Sequence, residues 1–303
     1  MQNLRVLRQR IRSVQNTQKI TKAMQMVAGA KLRRMQEELF AFRPYADALE
    51  KIAQRFLAER PRLTHPLLLG AAHPELVEGE RLAVRASTGS ARTEPPPAGL
   101  VVLSSDTGLC GTYNERVLEL AERFLAEHPS AVTVAIGRKG ARMLARRGVR
   151  RAREALDWGG RYDARRMEEL LEWLTQRYLE GTVSGWAITY TRFLSALSWK
   201  PVIEGFLPVE RPPEKEYPEK VIAEPDTAQF LEQLLRQHVR ARIARVALEA
   251  FTAEHSARMI AMKNATDNAG EMIDTLTLVR NKARQAAITK ELIEVVSGAE
   301  ALR

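Results

Sequence analysis

The chain has 303 residues, 45% of them hydrophobic, and its 47 basic and 37 acidic side chains give a net charge of +10. That apolar content is enough for a packed core, but no apolar run approaches the roughly 20 residues that a membrane-spanning helix needs. The basic excess favours an acidic partner, such as nucleic acid, an anionic membrane surface or an acidic protein. Cys110 is the only cysteine, which excludes an intramolecular disulfide and a cysteine metal cluster and favours a reducing compartment.

The first 60 residues are predicted to form one long helix with a coiled-coil seam, in which residues recur at alternating three- and four-residue steps. The seam consists of Leu4, Leu7, Ile11, Val14, Gln18, Thr21, Gln25, Ala28, Leu32, Met35, Leu39 and Phe42. Its middle members are polar or small, whereas Ile20, Met24 and Val27 fall on another face. We therefore expect the helix to pack on a partner at its ends and to present a different surface in its middle. Because the seam is continuous, we interpret the arginine-rich start as mature protein and not as a transit peptide.

Residues 61–225 are predicted to form an α/β domain. The segments AGLVVLSSDTGLCGTYNERVLELAERFLAEH and AVTVAIGRKGARMLARRG each contain a short apolar strand, a glycine-containing loop and a helix. SGWAITYTRF and KPVIEGFLPV supply further strands. This alternation indicates a mostly parallel sheet with helices on its faces. Residues 70–97 are rich in Gly, Pro, Ser and Thr and have no sustained period, so we expect a surface insertion without a role in the core.

Residues 226–303 contain no proline and are rich in helix formers, so they are predicted to form a second helix about 115 Å long. Its first seam consists of Val239, Ile243, Val246, Ala250, Ala253, Ala257 and Ile260. A second seam, in another frame, consists of Ile288, Leu292, Val295, Ala299 and Leu302. The expected partner is the N-terminal helix, antiparallel to it. Small and polar residues in MKNATDNAGEMIDTL separate the two patches and must be exposed or face something else. The predicted domains are therefore an N-terminal helix at 1–60, the α/β domain at 61–225 and a C-terminal helix at 226–303.

Few residues indicate catalytic chemistry. The loop SDTGLCG follows a predicted strand and precedes a helix, where backbone amides could hold a phosphate, but the chain has no GxGxxG or GxxxxGK[ST] motif. GRKG at 137–140 is interpreted as a turn. Cys110 is interpreted as a small buried hydrophobe and not as a nucleophile, since no histidine lies nearby in the sequence. The five histidines lack metal-ligand spacing, so we expect no catalytic residue, metal or cofactor, and a binding or mechanical role.

Three segments carry a family resemblance. IRSVQNTQKITKAMQMVAGAKLRR, SSDTGLCGTYN and EHSARMIAMKNATDNAGEMIDTLTLVRNKARQAAITKELIEVVSGAEAL resemble the gamma subunits of the F-type ATP synthases. The resemblance implies a non-catalytic rotor shaft, in which an antiparallel coiled coil of the terminal helices turns inside a ring of alternating alpha and beta subunits. It also implies a Rossmann-like domain at the base that contacts the epsilon subunit and the membrane ring of c subunits. By the same resemblance we expect no nucleic acid partner and a peripheral position on the cytoplasmic side of a bacterial inner membrane.

The resemblance also implies which residues contact the ring. A shaft that turns inside a ring must bind successive subunits almost equally well, which favours polar, flexible and basic side chains. The candidates are Lys19, Thr21, Lys22, Met24, Met26, Arg258, Lys263, Arg284, Gln285 and Thr289. Glu224 is the candidate for the foot that meets the c ring or the epsilon subunit. The apolar residues from Val295 to Leu302 are expected beyond the end of the partner helix, in an upper bearing.

Two other classes of protein remain open from the residues alone. A basic coiled-coil nucleic-acid binder would contact phosphates with the acid-free first 36 residues, but that stretch lacks aromatic stacking groups and a recognition motif. A nucleotide-dependent enzyme would use the α/β domain, which lacks a phosphate-binding fingerprint. Copurification with alpha and beta subunits would separate the shaft from the nucleic-acid binder, whereas salt-sensitive retention on DNA would not.

Overall fold

The computed structural model describes residues 4–68, 96–149, 151–215, 221, 223, 224 and 226–301. Its elements in chain order are α1 (Leu4–Ala58), β1 (Gly99–Leu103), α2 (Tyr113–Glu127), β2 (Val132–Ile136), α3 (Arg138–Arg146), β3 (Arg151–Ala155), α4 (Ala164–Leu179), β4 (Trp186–Ser195), β5 (Ser198–Leu207) and α5 (Thr227–Ala301). Nearly all of the predicted insertion at 70–97 lies outside the described residues. The chain forms two compact units, one from residues 1–30 with 258–303 and one from residues 31–257. The predicted fold class, an α/β sheet with long terminal helices, is confirmed.

The unit of residues 31–257, the α/β unit, contains a five-stranded sheet in the order β3-β2-β1-β4-β5. The pairs β1 with β2, β1 with β4 and β2 with β3 are parallel, and β5 is antiparallel to β4. Sequence analysis missed β3, because RAREA alternates alanine with charged residues and has no apolar run. That composition suits an edge strand, which has a neighbour on one side only.

Both faces of the sheet are covered, because successive side chains of a strand point to opposite sides. On one side, Leu100 and Val102 of β1 pack with buried residues of α2 and α3. On the other side, Val101 and Leu103 join a larger core that includes residues of α1, α4 and α5. Trp186 lies in this second core with its indole N–H donated to the Leu174 carbonyl at 2.9 Å, so its polar atom is satisfied.

Within the α/β unit, α1 and α5 run antiparallel. The Thr252 hydroxyl donates to the Met35 carbonyl at 3.4 Å, and Arg245 donates to Asp47 at 2.9 Å, so later residues of α1 meet earlier residues of α5. The seam residues that are buried here are Leu32, Met35 and Leu39 of α1 and Val239, Ile243, Val246, Ala250, Ala253 and Ala257 of α5. The first predicted seam of α5 is therefore buried up to Ala257, and its last member, Ile260, which belongs to the other unit, is half-buried. Every residue of α5 from 246 to 257 is buried, so this part of the helix is surrounded by the rest of its unit.

A buried carboxylate links three elements of the α/β unit. The Glu249 side chain is 2% exposed, and its Oε1 lies 3.4 Å from both Arg43 of α1 and Arg245 of α5. Its Oε2 lies 4.0 Å from Arg192 of β4. Arg43 also donates to the Phe193 carbonyl at 3.1 Å. Because a buried charge is tolerated only with partners, this cluster fixes the positions of α1, β4 and α5 relative to one another.

We expect Ile243→Asp to destabilise the α/β unit strongly. Ile243 is 3% exposed, and aspartate there would place an unpaired carboxylate among apolar side chains. The free energy of unfolding should fall by about 3 kcal/mol or more. The matched control is Gln237→Asp, an exposed position on the same helix, for which we expect a change of less than about 0.5 kcal/mol. Equal urea midpoints for the two variants would place Ile243 outside the seam.

The buried His238 predicts a loss of stability in acid. Burial, together with the nearby Arg242, lowers the pKa of His238 to about 4. The unfolded chain, with a histidine pKa of about 6.5, binds the proton first as pH falls, so stability is complete above about pH 6.5 and is lost towards pH 4. Between pH 7 and pH 4.5 this histidine should lower the free energy of unfolding by about 2 to 3 kcal/mol.

The measurement compares the parent chain with His238→Gln, which cannot be protonated in this range. Urea unfolding at pH 7 and pH 4.5 gives the loss for each chain, and carboxylates that titrate in acid contribute equally to both. The loss should be larger for the parent chain. Equal losses would show that His238 has the same pKa in the folded and unfolded states.

Candidate functional site

The ends of the chain form an antiparallel pair, made of residues 4–30 of α1 and 258–301 of α5 and called the helix pair below. Gln18 meets Thr266, whereas the earlier Arg10 and Val14 line the same groove as the later Met272. The seam residues of α1 in this pair are buried at Leu7, Ile11, Thr21 and Ala28 and half-buried at Leu4, Val14, Gln18 and Gln25. The predicted seam of α1 therefore continues without a break into this unit.

The polar middle of the α1 seam faces α5, so the expectation that the helix packs only at its ends is wrong. Thr266 Oγ1 lies 2.8 Å from Thr21 Oγ1, and the Thr21 hydroxyl donates to the Gln18 carbonyl at 3.0 Å. The Gln18 side-chain amide reaches the Thr266 carbonyl at 3.5 Å. Polar groups can occupy a seam when they bond to each other, because the loss of water is then compensated. The stretch MKNATDNAGEMIDTL thus meets the polar part of α1.

The opposite side of α1 carries exposed apolar and basic side chains. Met26 is 65% exposed, Ile20 61% and Val27 57%. Lys19 and Lys22 are exposed beside them. We call these five residues the outer face. A contiguous group of exposed large apolar side chains with a charged rim is typical of a protein-binding surface.

The second seam frame of α5 does not pack on α1. Ile288, Leu292 and Val295 are all exposed, so the prediction that their frame packs on the N-terminal helix is wrong, whereas the exposure of Val295 agrees with the expectation that it lies beyond the end of that helix. The antiparallel register places the start of α1 at Leu4 opposite about residue 280 of α5, since both helices advance about 1.5 Å per residue. The described residues of α5 beyond that point therefore have no residue of α1 across from them. The side chain of Ala299, and Leu302, lie outside what the structure describes.

The predicted contact residues differ in exposure. Lys19, Lys22, Met26, Lys263, Arg284, Gln285 and Thr289 are exposed, and Met24 is half-buried. Thr21 and Arg258 are each 9% exposed, and Thr21 lies in the seam, where its hydroxyl bonds to α5. Glu224, the foot candidate in the α/β unit, is exposed just before α5 begins. Seven of the candidates are therefore available to an outside partner through their side chains, whereas Thr21 serves the contact between the two helices.

Asp106, in the loop after β1, binds backbone amides at the carboxyl edge of the sheet. Its carboxylate accepts backbone N–H groups from Arg138 at 3.1 Å, Asp157 at 3.0 Å and Gly159 at 2.8 Å. These amides belong to the segments that follow β2 and β3. Backbone amides at the start of a helix can bind a phosphate, but here these amides donate to the Asp106 carboxylate. The sequence of the loop SDTGLCG carries no local signal for this role of Asp106, because its donors lie at least 32 positions away.

The remaining amides at the start of α3 are also used by the chain. Lys139 N donates to the Ser105 carbonyl at 2.9 Å, and Gly140 N donates to Ser104 Oγ at 2.8 Å. Gly137 has a φ of +91°, and a Cβ there would lie 2.2 Å from the Ser104 carbonyl oxygen. The interpretation of GRKG at 137–140 as a turn is wrong, because Arg138 begins α3 and the two glycines let that helix start close to Ser104.

Cys110 is 2% exposed, as expected for a small buried hydrophobe. The Asn114 side-chain amide lies 3.3 Å from its sulfur, and Asn114 Oδ1 accepts the Ser105 N–H at 3.0 Å. The Tyr113 hydroxyl donates to the Ala250 carbonyl of α5 at 3.0 Å. The SSDTGLCGTYN segment thus makes internal contacts that attach β1 and α2 to the rest of the α/β unit.

Neither a metal centre nor a membrane span is found in the part of the chain that the structure describes. No group of three or more His, Cys, Asp or Glu side chains converges there in a way that could hold a metal ion. None of the described helices combines the length and apolarity that crossing a bilayer requires.

We expect Asp106→Ala to lower the free energy of unfolding by about 2 kcal/mol or more, because several backbone donors lose one acceptor. Asp163→Ala is the matched control, since Asp163 accepts the Arg166 N–H at 3.1 Å at the start of α4 and its loss should cost about 1 kcal/mol. Urea unfolding of both variants measures the difference. An effect of Asp106→Ala no larger than that of Asp163→Ala would contradict the role assigned to Asp106.

Comparison with known proteins agrees with the architecture. The sequence profile described as ATP synthase matches residues 3–302. An ATP synthase gamma chain of Moorella thermoacetica is 42% identical over 305 residues, covering 100% of both chains, and one of Methylibium petroleiphilum is 41% identical over 307 residues, covering 98% of both. Among solved structures, the rotor of the Euglena gracilis mitochondrial ATP synthase matches with a TM-score of 0.60 at 17% identity, covering 94% of this chain and 98% of that one, which supports the fold. The chain belongs to the ATP synthase gamma chain family.

Proposed function

We propose that the chain is the central-stalk rotor of a proton-translocating F-type ATP synthase and transmits torque between the membrane c ring and the catalytic ring of alpha and beta subunits. The gamma chain is a non-catalytic subunit, and ATP is made and hydrolysed on the beta subunits. The observation that carries the proposal is the outer face of the helix pair, which exposes Met26, Ile20 and Val27 beside lysines. Such a face needs a partner outside the chain.

The chemistry of the outer face suits a partner that changes during rotation. Met26 is flexible and polarisable, so it can adapt to surfaces of different shape. Lys19 and Lys22 attract acidic groups at long range without requiring one fixed geometry. A surface of this kind discriminates weakly among similar partners, which is the property that a shaft inside a ring requires.

Rotation would drive catalysis through differential binding. If one orientation of the shaft stabilises one conformation of a beta subunit, then turning the shaft changes which conformation is favoured at each site. Proton flow turns the shaft and thereby shifts the populations of these conformations. The shaft needs no nucleotide site for this, and Asp106 occupies the backbone amides where the α/β unit could otherwise have bound a phosphate.

The contacts follow from the same proposal. The exposed residues Lys19, Lys22, Met26, Lys263, Arg284, Gln285 and Thr289, with the half-buried Met24, are assigned to the alpha and beta subunits. Thr21 and Arg258 are assigned a supporting role, because little of either side chain is exposed. Glu224 is assigned to the foot that meets the c ring and the epsilon subunit. In functional terms the segments are a shaft helix at 1–60, an α/β base at 61–225 and a shaft helix at 226–303.

A rotor of this kind would also have a defined location in the cell. The gamma chain is part of a membrane-associated complex, and the bacterial origin of the similar gamma chains supports the cytoplasmic side of a bacterial inner membrane for this one. The chain would be attached there through its partners. No observation on the described residues favours the alternative of a basic nucleic-acid binder.

Isolation of the native complex tests the function. A beta subunit carrying an affinity tag should copurify this chain with alpha and c subunits from detergent-solubilised membranes. Vesicles from cells depleted of the chain should lose ATP-driven proton pumping, and expression of the chain should restore it. Pumping that continues at the normal rate in depleted vesicles would overturn the proposal.

Charge reversal on the outer face tests the assigned contacts. We expect Lys22→Glu to slow ATP hydrolysis by the assembled complex about two- to tenfold, because the acidic partner is then repelled. Lys22→Arg keeps the charge and should have little effect. Lys51→Glu, at an exposed position of α1 in the α/β unit, controls for the change in net charge. Equal rates for Lys22→Glu and Lys51→Glu would remove Lys22 from the contact surface.

A further inference from the structure

Described residues of the connection between β5 and α5 form hydrogen bonds with the residues that directly follow α1. Arg211 at its start donates to the carbonyl of Arg60 at 3.0 Å and to that of Leu63. Both acceptors lie in the turn that follows α1. The same connection contains Glu224, the foot candidate. We call this connection the foot segment, and Arg211 near its start is thus held by residues that directly follow α1.

The later part of the connection is held through the backbone of one residue. Val221 donates its N–H to Glu59 Oε2 at 2.9 Å, and its carbonyl accepts from the Arg60 guanidinium at 2.6 Å. Two neighbouring side chains therefore bind both backbone polar groups of Val221. We call Glu59 and Arg60 the backbone clamp. Hydrogen bonds with a charged partner are the stronger kind, and these two fix direction as well as distance.

The backbone clamp is itself held rigidly. Glu59 Oε1 accepts from Arg55 at 3.1 Å, and the Glu59 side chain is only 6% exposed. The Arg60 guanidinium lies over the Phe56 ring at 4.3 Å from its centroid. Burial acts to raise the pKa of Glu59, but the Val221 N–H and Arg55 outweigh it, so the pKa is lowered and the carboxylate stays charged.

Phe56 connects the backbone clamp to both shaft helices. It belongs to α1 and is fully buried, and its ring centroid lies 4.8 Å from that of Phe230 in the first turn of α5. A displacement of Val221 would therefore have to break two charged hydrogen bonds whose side chains are fixed against the core. A shift of Val221 that keeps these two bonds has to move the end of α1 with it.

We propose that Glu59 and Arg60 are positioning residues for torque transmission, which hold the foot segment to α1 so that a force on the foot reaches the shaft. The inference rests on the proposed rotor function and adds the residues that join the foot to the shaft. Because the bonds go to the backbone of Val221, the clamp holds the segment whatever side chain stands at that position. Without it, the foot segment would move under load and part of the rotation would be lost before the shaft turns.

Hydrogen exchange in the full-length chain tests the contact. Glu59→Ala removes the acceptor of the Val221 N–H, and its exchange should become about tenfold faster. Glu59→Gln keeps an oxygen acceptor and should restore most of the protection. Arg62→Ala, an exposed arginine next to the clamp, is the matched control and should leave the exchange unchanged. Equal exchange in Glu59→Ala and Arg62→Ala would overturn the clamp.

The functional test uses the assembled complex in membrane vesicles. For the double variant Glu59→Ala with Arg60→Ala, the ratio of protons pumped to ATP hydrolysed should fall about twofold or more, and Glu59→Gln with Arg60→Lys should recover it. A purely structural role would reduce the amount of assembled complex and both activities in parallel, with the ratio unchanged, and would overturn the proposal. Absence of pumping even with the parent chain would instead overturn the rotor function itself.

Discussion

The antiparallel seam between α1 and α5 is the constraint on which the molecule depends. It joins residues as distant in sequence as Gln18 and Thr266, and the same alternating spacing serves in both compact units. In the α/β unit the seam is aliphatic, with Met35 and Ile243 fully packed. In the helix pair the seam stays apolar at Leu7 and Ile11 and becomes polar at Gln18 and Thr21, where hydroxyl groups bond across it. In the helix pair the α1 seam leaves the outer face of α1 exposed, so that face is available to a partner.

The α/β unit has an architecture that is common among nucleotide-binding proteins, but here it serves a different purpose. In open α/β sheets, ligands usually bind outside the carboxyl ends of the strands, near the point where the strand order reverses. Here β1 lies at that point, between β2 and β4, and Asp106, in the loop after β1, accepts hydrogen bonds from backbone amides there. The sheet thus supports the ends of α1 and α5 without an open phosphate site at this edge. Function in this family has to be argued from surfaces, since the fold alone does not specify it.

The parts of the fold that local periodicity determines were predictable from the sequence. Alternating steps identified the α1 seam and the first seam of α5, and apolar runs identified four of the five strands. The edge strand β3 was missed because its exposure removes the apolar signal. The second frame of α5 was misassigned because periodicity reveals that a helix face is apolar but not what covers it.

The long-range polar contacts had no local signal at all. Asp106 meets Gly159, which is 53 positions away, and Glu59 meets Val221 at a separation of 162. From the sequence alone, Asp106 and Glu59 would each be interpreted as an exposed acidic residue. Only the tertiary structure shows that their carboxylate oxygens accept hydrogen bonds from backbone N–H groups. The contact surfaces were partly predictable. Composition suggested the outer face, and the fold showed which of its side chains are exposed.

The most direct measurement of the central claim is a reversible lock on rotation. In a Cys110→Ala background, a Glu224→Cys substitution is paired with one cysteine on a stationary subunit, with the two α-carbons about 4.4 to 6.8 Å apart. If the chain is a rotor, oxidation stops ATP-driven proton pumping, a thiol reductant restores it, and the same disulfide to a c subunit leaves pumping intact. Full pumping with the chain quantitatively linked to the stationary subunit would show that the chain is a static scaffold and would contradict the account.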